Sequence, residues 1–178
     1  MHIIMALRRI LTEPNQILRE KSLRVEKVNE DLQKLIDDML ETMYAAPGIG
    51  LAAVQVGVPK RVIVLDIAHK DAQKNPMCFV NPEIIEKSNT NFTYEEGCLS
   101  VPGQFAEIDR PDKCHIKYLD YYGQPKEIKA EGMLATCIQH EMDHLEGILF
   151  IDYLSKLKKT MIIKKLSKQK KVIERIVV

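Results

Sequence analysis

The chain has 178 residues, of which 46% are hydrophobic and 29% charged, and its formal net charge is +1. This length accommodates one domain with a proper core, and the composition is that of an ordinary soluble protein. No apolar run approaches the roughly 20 residues of a membrane span. The arginines of MHIIMALRR follow the apolar residues, which is the wrong order for a signal peptide. We therefore expect no membrane partner and no export, and so a cytoplasmic location.

Four cysteines, at positions 78, 98, 114 and 137, are spread along the chain without a CxxC pair. This spacing is unlike that of a disulfide framework. We expect a reduced, intracellular chain in which one or two of the thiols are functional.

The first predicted helix begins after Asn29, which is a suitable N-cap ahead of Glu30 and Asp31. Apolar residues then recur with helical spacing at Leu32, Leu35, Ile36, Met39, Leu40 and Met43. Pro47 and Gly48 end this helix. We interpret it as a packing helix with one solvated face.

The stretch GIGLAAVQ, residues 48–55, follows this helix. Its two glycines permit unusual backbone angles and the close approach of another backbone. A phosphate-binding loop is disfavoured, because a third glycine and a Lys-Ser/Thr pair are missing. We interpret the stretch as a strand edge that lines a cleft, with Gln55 as an amide donor.

Alternating apolar residues and β-branched residues predict several strands. They are residues 61–67, 77–80, 83–88 and 90–95, and a hairpin of 113–120 with 126–130. Cys114 and His115 alternate in this hairpin, so one of the two points into the core. Neither is given a catalytic role.

Residues 137–147, CIQHEMDHLEG, contain an HExxH pattern with His140 and His144 four positions apart. On a helix this spacing puts both imidazoles on one face, where they can ligate one metal ion. Glu141 is then placed to handle the proton of an activated water. Single buried histidines are more often hydrogen-bonded core residues, but a buried pair with a carboxylate between them is costly without a cation. Apolar residues around the pattern predict a central buried helix.

Residues from 152 to about 172 are predicted to form a C-terminal helix. The segment 151–178 has eight Lys and one Arg against one Asp and one Glu, a net charge of +7 that leaves −6 for the first 150 residues. No repeat interrupts the chain. We expect one compact α+β domain over residues 1–178, with antiparallel or mixed sheets packed around the HExxH helix.

A catalytic metal usually has a third protein ligand. Zincin-type metallopeptidases take theirs from downstream, but Phe150 occupies the position where HExxHxxGxxH requires a histidine. Upstream, Cys98 lies in a Gly-containing turn that can present a thiolate. A buried, inert cysteine is the default for a single thiol, so the residues alone leave this ligand open.

Three stretches in this order, GIGLAAVQ, EGCLS and QHEMDHLEG, resemble the three signature motifs of peptide deformylases. The similarity extends over DDMLETMYA before the first motif and from residue 61 to residue 154, which is nearly the full length. The resemblance implies a metal-dependent hydrolase. Its substrate would be the N-terminal formylmethionine of nascent polypeptides, and formate would be released.

Carried onto this chain, the resemblance assigns three metal ligands, one base and two donors that face the carbonyl oxygen. The metal ligands are Cys98, His140 and His144, and the base is Glu141. The two donors are Gln55 and the backbone N–H of Leu99. One divalent ion is implied, with Fe²⁺ expected and Zn²⁺, Ni²⁺ or Co²⁺ able to substitute.

The substrate would lie as an added strand between residues 48–51 and 94–97, held by backbone hydrogen bonds. The implied substrate-binding residues are Ile49, Gly50, Tyr94, Gly97, Met133, Thr136 and Cys137. Two positions depart from the family pattern. Phe105 stands where many members carry an arginine, and Thr136 replaces a commoner aliphatic residue.

Two other interpretations compete with this one. A zincin-type metallopeptidase needs a third ligand downstream of HExxH, and Phe150, which occupies that position, cannot bind a metal. A ribosome- or RNA-binding module with a structural metal site needs neither Glu141 nor Gln55, and both are present. The basic C-terminal helix is either a solvated face or a means of docking on the ribosome, as in some bacterial deformylases.

Overall fold

Residues 6–68 and 72–176 are described by the computed structural model, with side chains up to Lys171. The α-helices in these ranges are α1 (Glu30–Ala45), α2 (Gly132–Leu145) and α3 (Lys156–Ile176). The strands are β1 (Gly50–Ala52), β2 (Val62–Leu65), β3 (Met77–Lys87), β4 (Asn91–Cys98), β5 (Val101–Pro111), β6 (Lys113–Leu119) and β7 (Pro125–Glu131). Short 3₁₀ helices cover Gln16–Arg19, Ala53–Val56 and Phe150–Tyr153.

The strands form two sheets. One has five strands in the order β1-β2-β3-β6-β7, and the other is the β4–β5 hairpin. Every pairing between these strands is antiparallel. Within the described residues, β1 and β4 each pair on one side only, so each presents a free edge. Helices together with antiparallel sheets confirm the predicted α+β class.

The five-stranded sheet is covered by a helix on each face, which explains the sequence VIVL of β2. All four residues are buried. Val62 and Val64 pack in the same cluster as α1, whereas Ile63 and Leu65 pack in the cluster that contains α2. Successive residues of a strand face opposite sides, so a strand between two helices must be apolar throughout. Helix α2, which carries HExxH, is therefore the central buried helix that the sequence predicts.

β3 runs continuously over Met77–Lys87, whereas the sequence predicts two strands, 77–80 and 83–88. The interruption is a bulge, at which the pairing with β6 shifts register. Asn81 takes a φ of 50° there, and its side-chain amide binds both the N–H and the carbonyl of Val25. Asparagine tolerates this left-handed backbone, so the strand continues through the bulge.

The sequence does not predict β5. Pro102 and Gly103 near its start usually interrupt strands. The strand forms because it pairs along its length with β4, from Asn91 opposite Pro111 to Cys98 opposite Val101. Pairing with a neighbour has outweighed local propensity here.

The C-terminal helix α3 covers Lys156–Ile176 rather than the predicted 152–172. Asp152 lies instead in a 3₁₀ turn, where its carboxylate accepts the N–H of Leu149 at 2.8 Å and pairs with Arg19 at 2.5 Å. These contacts hold Asp152 outside the helix. Neither α3 nor any other helix in the described part of the chain is long and apolar enough to cross a membrane.

Candidate active site

Three side chains that can bind a metal ion converge between α2 and the end of β4. His140 and His144 lie one turn apart on α2, and Cys98 is the last residue of β4. Their donor atoms all lie within 4.8 Å of one another, and Nε2 of His144 is 3.3 Å from Sγ of Cys98. A thiolate and two imidazoles at this spacing fit one divalent transition-metal ion.

A buried carboxylate fixes the orientation of His140. Its Nδ1 donates to Oε2 of Glu96 at 2.8 Å, because an ionised carboxylate only accepts. Nε2 is therefore left to face the other two ligands. Arg110 in turn holds Glu96, with Nε 2.5 Å from Oε1 and Nη2 3.0 Å from Oε2.

Glu96 and Arg110 are absent from the sequence-predicted site. One signal could have found Glu96: it precedes Cys98 by two positions in β4, and residues two apart face the same side of a strand. No comparable signal marks Arg110, because it lies on β5, which the sequence does not predict.

The charges around the two histidines move their pKa values apart. Burial disfavours protonated His140, but hydrogen bonds with Cys98 and Glu96 outweigh burial and raise its pKa well above the ordinary value. Burial and nearby His140 lower the pKa of His144 well below that value. Glu96 is also buried, yet its bonds to His140 and Arg110 keep its pKa low. His144 is therefore neutral, the form that can bind a metal, and at His140 a metal ion would compete with a proton.

Glu141 is buried beside these ligands and is only 6% exposed. Its Oε2 has no hydrogen-bond partner among the described residues, and burial raises the pKa of the carboxyl group to about 7. A Cβ at Gly50 would collide with Oε1 of Glu141, so glycine is needed for β1 to approach α2 this closely. A carboxylate with a pKa near neutral is suited to accept a proton and return it.

Gln55 lies in the 3₁₀ turn after β1 and is buried. Its Oε1 accepts the N–H of Ala52 at 2.8 Å, which fixes the end of the amide that faces the ligands. Nε2 donates to Oγ of Ser100 at 3.0 Å and lies 3.5 Å from Sγ of Cys98. Leu99 directly follows Cys98 and lines the adjacent cavity. Both predicted donor residues thus lie beside the ligand cluster.

A cavity of about 480 Å³ opens next to Cys98, His140 and Glu141. All seven residues predicted to bind substrate line it: Ile49, Gly50, Tyr94, Gly97, Met133, Thr136 and Cys137. Ile49 and Met133 are each 46% exposed, whereas Thr136 and Cys137 are buried. The cavity therefore leads from a partly exposed apolar opening to a buried apolar wall, which suits an apolar side chain.

Thr136 introduces an unpaired hydroxyl group into this wall. Its Oγ1 is buried and has no hydrogen-bond partner among the described residues. Thr42 and Thr160, also in helices, each donate to the carbonyl four residues earlier. Thr136 thus differs from an aliphatic residue by one unsatisfied polar group.

A family model described as polypeptide deformylase matches residues 7–160. The chain belongs to the polypeptide deformylase family. The peptide deformylase of Pelagibacter ubique is 64% identical over 166 residues, which are 93% of this chain and 96% of that protein. The peptide deformylase of Maricaulis maris is 60% identical over 167 residues, 94% of this chain and 96% of that protein.

Solved deformylase structures have the same fold. The peptide deformylase of Ehrlichia chaffeensis in complex with actinonin has a TM-score of 0.89 and 46% identity, covering 93% of this chain and 98% of that chain. A peptide deformylase from Legionella pneumophila has a TM-score of 0.87 and 46% identity, covering 96% and 99%. The predicted deformylase family and fold are confirmed.

Membership of the deformylase family leaves the two competing interpretations without support. Phe150, at the zincin ligand position, is buried, and its ring is stacked 6.3 Å from that of His140. It offers no ligand atom, and Cys98 lies in the cluster instead. The chain is a metal-dependent deformylase by family, as the three motifs together indicate.

Proposed function

We propose that the chain hydrolyses the N-formyl group of the formylmethionine that begins nascent polypeptides. The products are formate and a free amino terminus. The observation that carries this proposal is the position of Glu141, which is buried beside three converging donor atoms and an apolar cavity and has an oxygen without a partner in the described part of the chain. A purely structural metal site needs no such base.

The proposed metal ligands are Cys98, His140 and His144, and the proposed ion is Fe²⁺. One thiolate and two neutral imidazoles also accept Zn²⁺, Ni²⁺ and Co²⁺; the choice of iron follows from the family resemblance. When bound, such a cation supplies Lewis acidity, which lowers the pKa of water to about 7 and polarises a carbonyl group.

Glu141 is the proposed proton carrier. It accepts a proton from the attacking water and returns it to the amine that leaves. Its Oε2, which has no hydrogen-bond partner in residues 6–68 and 72–171, is available for this transfer, and its Oε1 lies against the backbone of Gly50. One carboxylate therefore serves both as base and as acid, and the reaction needs no second proton donor.

Gln55 and the backbone N–H of Leu99 are the proposed donors to the oxyanion. Ala52 and Ser100 hold the Gln55 amide in a fixed orientation, so its N–H groups face the cluster before substrate arrives. Losing one donor of this kind costs roughly 3–4 kcal/mol of transition-state stabilisation.

The proposed peptide lies as an extra strand between the free edges of β1 and β4. Backbone hydrogen bonds to residues 48–51 and 94–97 would hold it without regard to side-chain identity. The methionine side chain would enter the pocket formed by Met133, Thr136 and Cys137. Such a site accepts many sequences after methionine, as general processing of nascent chains requires.

The proposed function is tested by formate release from formyl-Met-Ala-Ser, using protein purified anaerobically with Fe²⁺. Acetyl-Met-Ala-Ser is the matched substrate, because only its acyl group differs. We expect formate from the formyl peptide, no deacetylation, and no cleavage of internal peptide bonds. Internal cleavage without formate release would overturn the proposal in favour of a metallopeptidase.

We also propose that residues 1–178 act as one domain in the bacterial cytoplasm. Helix α3 belongs to this domain, because Leu166 is 3% exposed and packs on the body of the molecule, and Lys159 pairs with Asp152 at 2.5 Å.

We further propose that α3 docks on the ribosome. The exposed lysines of α3 are Lys156, Lys158, Lys164, Lys165, Lys168, Lys170 and Lys171. Their charge suits the phosphates of ribosomal RNA, close to which nascent chains emerge.

A further inference from the structure

The backbone of the candidate site is bound by a segment near the amino terminus, residues 11–22. The N–H of Leu11 donates to the carbonyl of Gln55 at 2.7 Å. The N–H of Glu13 donates to the carbonyl of Ser100 at 2.8 Å, and Oγ of Ser100 accepts Nε2 of Gln55 at 3.0 Å. Both residues of this side-chain hydrogen bond are therefore held by the same neighbouring stretch of backbone.

The other end of the segment lies against the end of α2. The N–H of Ser22 donates to the carbonyl of Leu145 at 2.8 Å. Gly147, which has a φ of 74°, packs so closely on Arg19 that a Cβ would collide with the Arg19 carbonyl oxygen. Segment 11–22 therefore reaches from the turn of Gln55 to the helix that carries the two histidines.

The side chain of Arg19 connects the first part of the segment to the region that follows α2. Its Nη2 binds Oε1 of Glu13 at 3.0 Å, and its Nη1 binds Oδ2 of Asp152 at 2.5 Å. Glu13 is only 6% exposed, and its Oε2 has no hydrogen-bond partner in the described part of the chain. The position of the buried Glu13 carboxylate therefore depends on Arg19.

The Gln55 amide needs support from outside its own turn. The 3₁₀ helix that contains it has four residues, Ala53–Val56, and short 3₁₀ turns have poorer hydrogen-bond geometry than α-helices. Nε2 of Gln55 lies 3.5 Å from Sγ of Cys98, and a donor to an oxyanion beside Cys98 must keep this spacing. A displacement of about 1 Å caused by a distant substitution can cost roughly 100-fold in rate.

We propose that Arg19 is a positioning residue for the Gln55 donor. It holds Glu13, and the backbone of residues 11–13 then binds the carbonyls of Gln55 and Ser100. These bonds set the distance of the amide from the proposed metal ligands. Arg19 acts only through this backbone, since it is not one of the described residues that line the cavity. The inference rests on the proposed function and adds a residue to its machinery.

The first test is the steady-state kinetics of Arg19→Leu with formyl-Met-Ala-Ser, on folded protein prepared anaerobically with Fe²⁺. We expect kcat to fall about tenfold with KM unchanged, because a donor to the oxyanion acts in the transition state. Arg19→Lys keeps a cation beside Glu13 and should recover part of this loss. Glu13→Gln breaks the same ion pair from the other side and should also lower kcat alone. An unchanged kcat in Arg19→Leu and Glu13→Gln would overturn the inference.

A double-mutant cycle with Gln55→Ala separates positioning from a general loss of structure. If Arg19 acts through Gln55, Arg19→Leu should lower kcat less than about twofold once the amide is absent. Metal content should stay at the wild-type level in all variants. The same factor with and without Gln55, or loss of the metal, would contradict positioning through this donor.

Arg8→Leu is the matched control. Arg8 also pairs with a buried carboxylate, that of Asp38, at 2.9 Å, and its side chain is 33% exposed against 31% for Arg19. Its backbone N–H binds Thr42 of α1, away from the site. Arg8→Leu should lower stability and leave kcat unchanged, whereas a tenfold loss of kcat here would overturn the inference.

The wild-type protein keeps the two proposals distinguishable. No formate release by the wild type would overturn the proposed function. Equal release by the wild type and by Arg19→Leu would overturn only the present inference.

Discussion

Glu141 and Thr136 each have a buried oxygen without a hydrogen-bond partner among the described residues. Buried polar groups are nearly always paired, so each case requires an explanation. For Glu141 the proposed reaction supplies one, because the attacking water and the leaving amine are its partners. The proposed reaction gives Thr136 no partner, and the cost of burying its hydroxyl remains.

Thr136→Val should therefore stabilise the protein. The substitution keeps the shape of the side chain and removes the unpaired hydroxyl, for a gain of about 1 kcal/mol in the free energy of unfolding and about 2–4 °C in Tm. Thr42→Val is the matched control. The Thr42 hydroxyl donates to the carbonyl of Asp38 at 2.6 Å and accepts the N–H of Arg8 at 2.9 Å, so its loss should lower Tm. Equal losses in both variants by thermal unfolding would show that the Thr136 hydroxyl is paired in solution.

The four thiols should differ in their response to metal removal. Burial raises the pKa of Cys78 and Cys114 to about 11 and that of Cys137 to about 12, so these thiols react slowly near neutral pH. Cys98 lines the open cavity. After treatment with a chelator, iodoacetamide should modify Cys98 first, and reloading with Ni²⁺ should protect it. Peptide mass spectrometry measures the extent of modification at each cysteine. If Cys98 is equally protected with and without metal, its role as a ligand is contradicted.

At the scale of elements, Arg110 joins the hairpin that carries Cys98 to the helix that carries the histidines. It binds Glu96 on β4 and, at 2.7 Å, Asp143 on α2. Tyr153 donates to the same Asp143 carboxylate at 2.8 Å. The spacing of the proposed metal ligands therefore depends on an ion-pair network in which Arg110, Glu96 and Asp143 are not ligands themselves.

Arg110→Leu should lower the free energy of unfolding by roughly 3–5 kcal/mol near neutral pH, because it removes one of the two side chains that bind the buried Glu96 carboxylate. The folded-state pKa of Glu96 is lowered, so its stabilising contribution is present above the unfolded value of about 4.3. It is lost as the pH falls through the folded-state value. The difference between wild type and variant should therefore shrink in acid.

Denaturant titrations at several pH values measure this difference. Arg24→Leu is the control, because its pair with Glu83 is exposed and should contribute less than about 1 kcal/mol. A difference for Arg110→Leu that stays constant from neutral to acid pH would contradict the proposed contribution of Glu96.

The elements that the sequence predicts well are those specified by their own residues. Helix α1 begins after Asn29, whose side chain accepts the N–H of Leu32 at 3.0 Å, and the β6–β7 hairpin follows its alternation. The continuous β3 depends on a partner distant in the sequence, the Val25 backbone that binds Asn81, and β5 depends on its pairing with β4 in spite of Pro102 and Gly103. Local pattern contains no information about these partners.

At the scale of the whole molecule, Gln55, Cys98 and the HExxH helix are far apart in the sequence and meet at one cavity. The helix spacing alone predicts the two histidines. The local sequence does not distinguish Cys98 from an inert thiol, and it indicates no role for Gln55 beyond that of an amide donor. Only the order of the three motifs links these two residues to the HExxH helix. Arg110 required the structure, because its role depends on contacts between β4, β5 and α2.

The separation of charge between the body and α3 leads to a prediction about ribosome binding. Replacing Lys164, Lys165, Lys168 and Lys171 by Gln should weaken binding and reduce its salt dependence, because fewer phosphate counterions are released. Hydrolysis of formyl-Met-Ala-Ser should not change. Substitution is preferable to truncation, since Leu166 is buried against the body.

Four exposed lysines outside α3 provide the control for ribosome binding. They are Lys87, Lys113, Lys126 and Lys129. Changing them to Gln alters the net charge by the same amount and should leave sedimentation with ribosomes unchanged. Equal losses of binding in both sets would indicate attraction by overall charge, and not docking through α3.

The central claim is that Glu141 moves protons and does not hold the metal, and Glu141→Gln tests it most directly. Metal content and formate release are measured on the same anaerobic preparation. We predict one metal ion per chain, as in the wild type, with formate release from formyl-Met-Ala-Ser lowered at least about 100-fold. A variant that loses its metal, or one that keeps its turnover, would contradict the account.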